Sequence, residues 1–472
     1  MSFADCNRPR LLIAGAHSGV GKSTITLALV AALRRRGLKV QTFKVGPDYL
    51  DPGHLAHVSG RPCFNLDGWM TDRNYVGELF NTASADADIS LIEGVMGLFD
   101  GSSTDSLQGS SGEIAIWLKA PVVLVVNTHG MARSIAALVK GYNEFEPGVE
   151  LAGVLANHCG SPSHVTLLNN ALRSSGQPPL LGAIRRDSLP VLASRHLGLV
   201  SAEEHRLDNE TITQLADAAG AQVNLDLLLR AAHQVEPLPQ QSTLSTFIGS
   251  DPKVRLAVAR DEAFQFYYAD LFAALERQGC SPVPFSPLHD SCLPEDIDGL
   301  YLGGGYPEVY AQILAENRAM LHDVRDFCTS GKPVYAECGG LIYLSQGVEQ
   351  EGQRFPLVGT LPAWTRMLKK CKALGYVEVT LEHDSLFGQR GESFRGHEFH
   401  YSELIEPSTS QNGWQAAYQL KQNRTGNCSA EGYQKGNILA SYAHLHLASR
   451  PAALSHFVKK MKKISDRRSC DN

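Results

Sequence analysis

Gly15-Ala-His-Ser-Gly-Val-Gly-Lys-Ser-Thr24 joins an apolar run, Arg10–Gly15, to a segment with apolar positions at helical spacing, Ser23–Arg36. A strand running into glycines and then into a helix is the context of a phosphate-binding loop. Consecutive backbone N–H groups wrap a polyphosphate, and the helix N-terminus adds its positive end. Gly19 and Gly21, flanking Val20, let the main chain approach phosphate without a Cβ. Lys22 has the reach for β- and γ-phosphates, and the hydroxyl of Ser23, followed by Thr24, suits Mg²⁺. The strict pattern puts a glycine five residues before Gly21; Ala16 stands there and Gly15 lies one place earlier. A loop of slightly different shape is therefore expected.

Around this loop, apolar runs alternate with helix-like segments. Arg10–Gly15, Lys39–Lys44, Ile89–Val95, Val122–Asn127, Leu151–Asn157 and Leu180–Ile184 read as strands. Such alternation implies an α/β fold, a doubly wound, mostly parallel sheet with helices on both faces. The first helix ends in Arg34, Arg35 and Arg36 before Gly37, which suits the negative end of its dipole and a glycine stop. Ligands in these sheets bind beyond the carboxyl ends of the strands. Asp48 and Glu93 stand at such ends, and with Ser23 they are the expected Mg²⁺ ligands, since Mg²⁺ takes one or two carboxylates and completes its octahedron with water. Asp51 is a weaker candidate, and Asp100 is expected on the substrate side. Asn157, at a strand end, is placed to read an adenine edge or to serve as a turn amide.

Composition shifts at Glu236-Pro-Leu-Pro-Gln-Gln-Ser-Thr243, so residues 1–235 form one expected domain, 236–252 a linker and 253–465 a second α/β domain. Its expected strands are Lys253–Ala259, Gly299–Leu302, Pro333–Glu337, Gly375–Val379 and Ile438–Tyr442. Cys338, in Val334-Tyr-Ala-Glu-Cys-Gly-Gly340, follows a strand and precedes a helix-like run, with Ala336 where an elbow usually has its first glycine. A sharp turn there exposes the sulfur, and the helix N-terminus is expected to lower the thiol pKa. Gly303, Gly304 and Gly305, with Gly339, are the expected oxyanion donors. The thiol needs a base, and Ser441-Tyr-Ala-His-Leu-His446 offers His444 or His446. We favour His444. An orienting acid would stand two residues on, where His446 sits, so a Cys–His dyad is expected. The cluster Arg395, His397, Glu398 and His400 either braces the fold or lines a substrate cleft, with Arg395 and His397 favoured for the cleft.

The 472 residues are 43% hydrophobic and 19% charged, enough for sizeable cores. A net charge of −6 argues against nucleic-acid binding. Ten cysteines without a C-x-x-C pair suit neither a zinc ribbon nor a disulfide scaffold. The N-terminus lacks a signal-peptide pattern and no run of eighteen apolar residues occurs, so no membrane span and a cytoplasmic location are expected.

Together these motifs resemble the cobyrinic acid a,c-diamide synthase family over essentially the whole chain. The first half is similar to dethiobiotin synthetase-like P-loop proteins. The second is similar to class I glutamine amidotransferases of the cobalamin-pathway type, which lack the usual acid after the histidine. The resemblance implies ATP, Mg²⁺, L-glutamine and a corrin-type tetrapyrrole, with ammonia freed at Cys338 and an acyl phosphate made in the first half. A hydrogenobyrinic acid or nickel-sirohydrochlorin substrate stays open, as does a homodimer. A non-enzymatic nucleotide switch is the alternative from another class. The partitioning ATPases of that class carry lysine three residues before Gly21, where this chain has Ser18.

Overall fold

The computed structural model describes residues 7–192, 194–195, 198–199, 202, 204–238, 254–405 and 413–471. The chain divides into two units, Met1–Leu244 and Ser245–Asn472. Most of the expected linker lies outside the described residues.

In the first unit, β1 (Arg10–Gly15), β2 (Val40–Val45), β3 (Phe64–Leu66), β4 (Ile89–Gly97), β5 (Val122–Asn127), β6 (Leu151–Cys159) and β7 (Leu180–Arg185) form one sheet. Its order is β3-β2-β4-β1-β5-β6-β7, with every neighbouring pair parallel. Alternate residues of β1 explain its unbroken apolar run. Leu11 and Ile13 enter one core with the helix α1 (Lys22–Arg35), while Leu12 and Ala14 enter the core on the opposite face. Both faces are covered, so period-two alternation of polarity has no reason to appear. Each fully buried Leu or Ile contributes about 1.5–3 kcal/mol. No side chain caps α1, whose N-cap Gly21 has φ 95°. The helix ends with Arg34 and Arg35 in its last turn and Gly37 at φ 84°, as expected. The strand order brings the carboxyl ends of β2, β4 and β1 side by side, with Lys44, Glu93 and Ile13 in register across them.

The second unit holds a ten-stranded sheet. Cys280–Phe285, Val254–Ala259, Gly299–Leu302, Val334–Glu337 and Ile438–Ser441 run parallel in that spatial order. Antiparallel strands continue it: Cys428–Lys435, Gln415–Gln422, Ala373–Leu381, Ser393–His400 and finally His444–Leu445. Ser441 and His444 are three residues apart, so the antiparallel part must curl until its far margin returns to the strand where it began. That curl sets His397 opposite His444. The first strand, Cys280–Phe285, carries Pro282 and Pro284 and forms the other margin. The described chain ends in a helix spanning Pro451–Asp471. Among the described residues no helix is long and apolar enough to cross a membrane.

Candidate active sites

The phosphate loop is pinned from below. Val20 is fully buried, and its carbonyl accepts from the Asn157 amide nitrogen at 2.9 Å. The Asn157 side-chain oxygen accepts from the His158 N–H at 2.9 Å. The amide expected to read adenine therefore braces the loop, because β6 ends directly beneath it. Gly21 has φ 95°, and a Cβ there would lie 2.4 Å from the Asn157 nitrogen. Gly21→Ala is expected to slow phosphate chemistry at this loop about 10²-fold, through displacement of the loop by roughly 1 Å, as measured by initial rates at saturating nucleotide.

Lys22 points back over the loop, its ammonium on the Met96 carbonyl at 2.5 Å. Burial lowers its pKa, and the nearby Lys44 adds to this. Gly97 N–H donates to Asp100 at 2.9 Å, so Asp100 shapes the turn after β4 and sends a favourable field to Lys22. Ser23 donates to Glu93 at 2.7 Å and lies 3.1 Å from Asp51. Thr24 follows, half-buried in the first turn.

Lys44 is the centre that sequence reasoning missed. Its ammonium sits 2.6 Å from Asp51, 2.8 Å from Glu93 and 3.6 Å from Asp48. Burial alone would lower its pKa, but the surrounding carboxylates outweigh burial and raise it. Burial pushes Asp51 upward, yet Lys44 holds its carboxyl below the usual range. Burial pushes Glu93 up to about 7. Asp48, favoured over Asp51 in sequence, is the more exposed of the two and accepts from the Leu50 N–H at 2.8 Å. Asp51 is the acid that reaches Ser23. Among the described residues no group of three or more His, Cys, Asp or Glu is arranged to hold a metal unaided. A cation that rides on nucleotide phosphates needs only one or two carboxylates. The convergence of the hard oxygens of Ser23, Glu93 and Asp51 fits Mg²⁺.

In the second unit, Cys338 caps the short helix Gly339–Leu344 with φ 46° and ψ −98°, a conformation that non-glycine residues rarely hold. Its N–H donates to the Ser441 carbonyl at 2.7 Å, which ties the nucleophile's strand to the strand leading to His444. Burial raises the Cys338 thiol, with Glu308 adding to the effect, and the Gly339 N–H lowers it by less. The expectation of a depressed thiol is corrected: six buried residues of helix do not outweigh the loss of water. A protonated resting thiol needs a base at the moment of attack.

His444 is 2% exposed and lies against the glycine loop. A Cβ on Gly304 would meet its Cε1 at 2.5 Å. Burial lowers the His444 pKa to about 3, so the imidazole rests neutral, the form a base requires. His446 faces elsewhere: its Nε2 lies 3.5 Å from Asp270, and its ring packs on Tyr268. The glycine loop closes on the elbow, since a Cβ on Gly339 would sit 3.0 Å from the Gly305 nitrogen. Gly303 departs from expectation. Its N–H donates to the Tyr267 hydroxyl at 2.9 Å, so that N–H secures the loop and is not open to an oxyanion.

The cluster on Ser393–His400 separates. Arg395 is half-exposed, 3.9 Å from Glu378. His397 is buried behind the base, stacked on His444 at 4.9 Å, with the Tyr268 hydroxyl 3.1 Å from its Nδ1. It is therefore not on the substrate side expected for it. Burial pushes Glu398 up to about 8, and His400 stacks on Tyr442 at 4.0 Å.

Comparison with known proteins gives a consistent picture. Residues 11–199 match the model of a CobQ/CobB/MinD/ParA nucleotide binding domain. Residues 255–452 match that of a CobB/CobQ-like glutamine amidotransferase domain. The chain is 54% identical to a cobyrinate a,c-diamide synthase of Syntrophotalea carbinolica, over 95% of this chain and 98% of that one. It is 44% identical to the cobyrinate a,c-diamide synthase of Leptospira interrogans, over 96% and 98%. With that of Dehalococcoides mccartyi it shares 40% identity over 96% and 98%.

Proposed function

The chain belongs to the cobyrinate a,c-diamide synthase family, and from that premise we propose that it amidates the a and c acetate carboxylates of cobyrinic acid, using ATP and glutamine, in cobalamin synthesis. What carries the reading is the joining, in one chain, of a braced phosphate loop beside buried carboxylates and a strained cysteine elbow tied by its N–H to the strand that leads to a neutral histidine.

Glutamine is opened at the elbow. The Cys338 thiol passes its proton to His444 as sulfur bonds to the carboxamide carbon. N–H groups of Gly305 and Gly339 hold the oxyanion that forms. His444 then returns the proton to the departing nitrogen, the C–N bond breaks, and ammonia leaves behind a glutamyl thioester. Water attacks the thioester, giving glutamate and the free thiol.

Activation takes place at the phosphate loop. A substrate carboxylate oxygen attacks the γ-phosphorus of ATP, and ADP leaves. Backbone N–H groups of Gly19–Gly21 bind the phosphates, and Lys22 follows the charge that moves onto the bridging oxygens. Ser23, Glu93 and Asp51, with Asp48 alongside, would hold Mg²⁺, which when bound neutralises charge on the phosphates. Lys44 keeps the carboxylates oriented. Ammonia then attacks the acyl carbon, phosphate leaves, and an amide remains. Arg395, a half-exposed cation, is our candidate for a corrin carboxylate, and Asp100, which shapes the turn beside Lys22, for the substrate side of the phosphate loop. ATP and glutamine are cytoplasmic metabolites, and we place the enzyme there.

The test is product mass after incubation with ATP, Mg²⁺, glutamine and cobyrinic acid. Two successive acid-to-amide steps and no third are expected. An untouched cobyrinic acid beside a doubly amidated hydrogenobyrinic acid would overturn the substrate assignment and leave the chemistry standing. No amidation of either, with no glutamine hydrolysis, would overturn the whole reading.

A further inference from the structure

Glu337 is an acid at the end of a fully buried strand, Val334–Glu337, one residue before the nucleophile. An ionised carboxylate held there must find a partner for every lone pair that water has left. A carboxylate has about four acceptor positions. Oε1 accepts from the Tyr335 hydroxyl and from the Leu445 N–H at 3.1 Å. Oε2 accepts from the Tyr301 hydroxyl at 2.6 Å. The second position on Oε2 faces His444 Nδ1 at 3.9 Å. Three donors from separate strands thus fix the carboxylate and leave one lone pair aimed at the imidazole. The Leu445 bond also fixes the backbone next to His444.

A histidine acting as base through Nε2 must keep its proton on Nδ1, and an acceptor there selects that tautomer and steadies the ring. This chain has no acid two residues after His444, and the histidine in that place faces Asp270. We propose that Glu337 is the positioning residue for His444, supplied from the nucleophile's own strand and accepting the Nδ1–H hydrogen bond when the site tightens around glutamine. The gap to a normal hydrogen bond is about 1 Å, and such bonds are often long before substrate binds. The inference rests on Cys338 and His444 being nucleophile and base. The proton taken from the thiol and given to the departing nitrogen passes through Nε2 alone, and Glu337 takes none.

The experiment measures glutamate release by the full chain with ATP and cobyrinic acid present, in wild type, Glu337→Gln, Glu337→Asp and Cys338→Ala. Glutamine loses the charge at the same size, and aspartate keeps the charge but withdraws it by a methylene. The expected kcat order is wild type, then Asp, then Gln, with Gln reduced about 10²-fold or more and the glutamine KM within about twofold. If Glu337→Gln fails to fold, Glu337→Asp decides alone: a lower kcat at unchanged KM supports the role, and wild-type kcat overturns it. A Glu337→Gln kcat near wild type, with Cys338→Ala inactive, sinks the positioning role and leaves the dyad intact. A raised KM at constant kcat in both variants shows a structural role only and also sinks it. Glutamate release surviving in Cys338→Ala would instead remove the reading on which the inference stands.

Discussion

With Cys338 replaced by alanine, amidation supported by glutamine falls at least about 10³-fold while amidation supported by ammonium salts stays within about threefold of wild type. The loss is large because the chemistry at the elbow is covalent, so removing the sulfur removes the intermediate and not merely a contact. The thiol is held high by burial and rests protonated, and burial keeps the imidazole of His444 neutral. Both groups are thus uncharged until glutamine arrives, which spares a buried ion pair. The ammonium arm separates this account from a general loss of folding. Equal loss with both nitrogen sources would show that the alanine had damaged more than the elbow.

Lys22→Ala has the opposite signature: amidation falls about 10²- to 10³-fold with glutamine and ammonium alike. Lys22 is the one loop side chain whose ammonium is held over the place where phosphate must lie, by the Met96 carbonyl at 2.5 Å. Burial lowers the pKa of that ammonium, and the negative charge of a polyphosphate favours its charged form. Initial rates with each nitrogen donor read the outcome. Retention of ammonium-supported activity in Lys22→Ala would move the activating phosphate to some other part of the chain.

The first sheet was readable because long apolar runs on a doubly covered sheet leave little ambiguity. Its central strands end within one or two residues of where the runs end. Phe64–Leu66 was not, since three residues show no period. Cys280–Phe285 was hidden by its prolines, which argue against a strand unless it lies at a margin. In the sites, glycines, Lys22, Ser23 and Cys338 announced themselves by spacing along the chain. Lys44 and Glu337 did not, because each lies at the carboxyl-terminal part of a strand and gains its meaning only from neighbouring strands in register. Their one signal was a charge close to a strand's end. Asp51 lost to Asp48 in sequence because only the start of the helix Leu50–Ser59 decides which acid turns inward. Gly303 looked equivalent to its neighbours until the Tyr267 hydroxyl claimed its N–H.

The two prolines of Cys280–Phe285 have a consequence of a different kind. Among the described residues the strand pairs with Val254–Ala259 on one side only. Pro282 and Pro284 are an even number of residues apart, so their missing amides fall along the same, outward side of it. A stray strand approaching that margin finds carbonyls without the donors that alternate with them in a ladder. The ten-stranded sheet therefore ends in a border that other chains cannot readily extend, a safeguard against aggregation in a crowded cell.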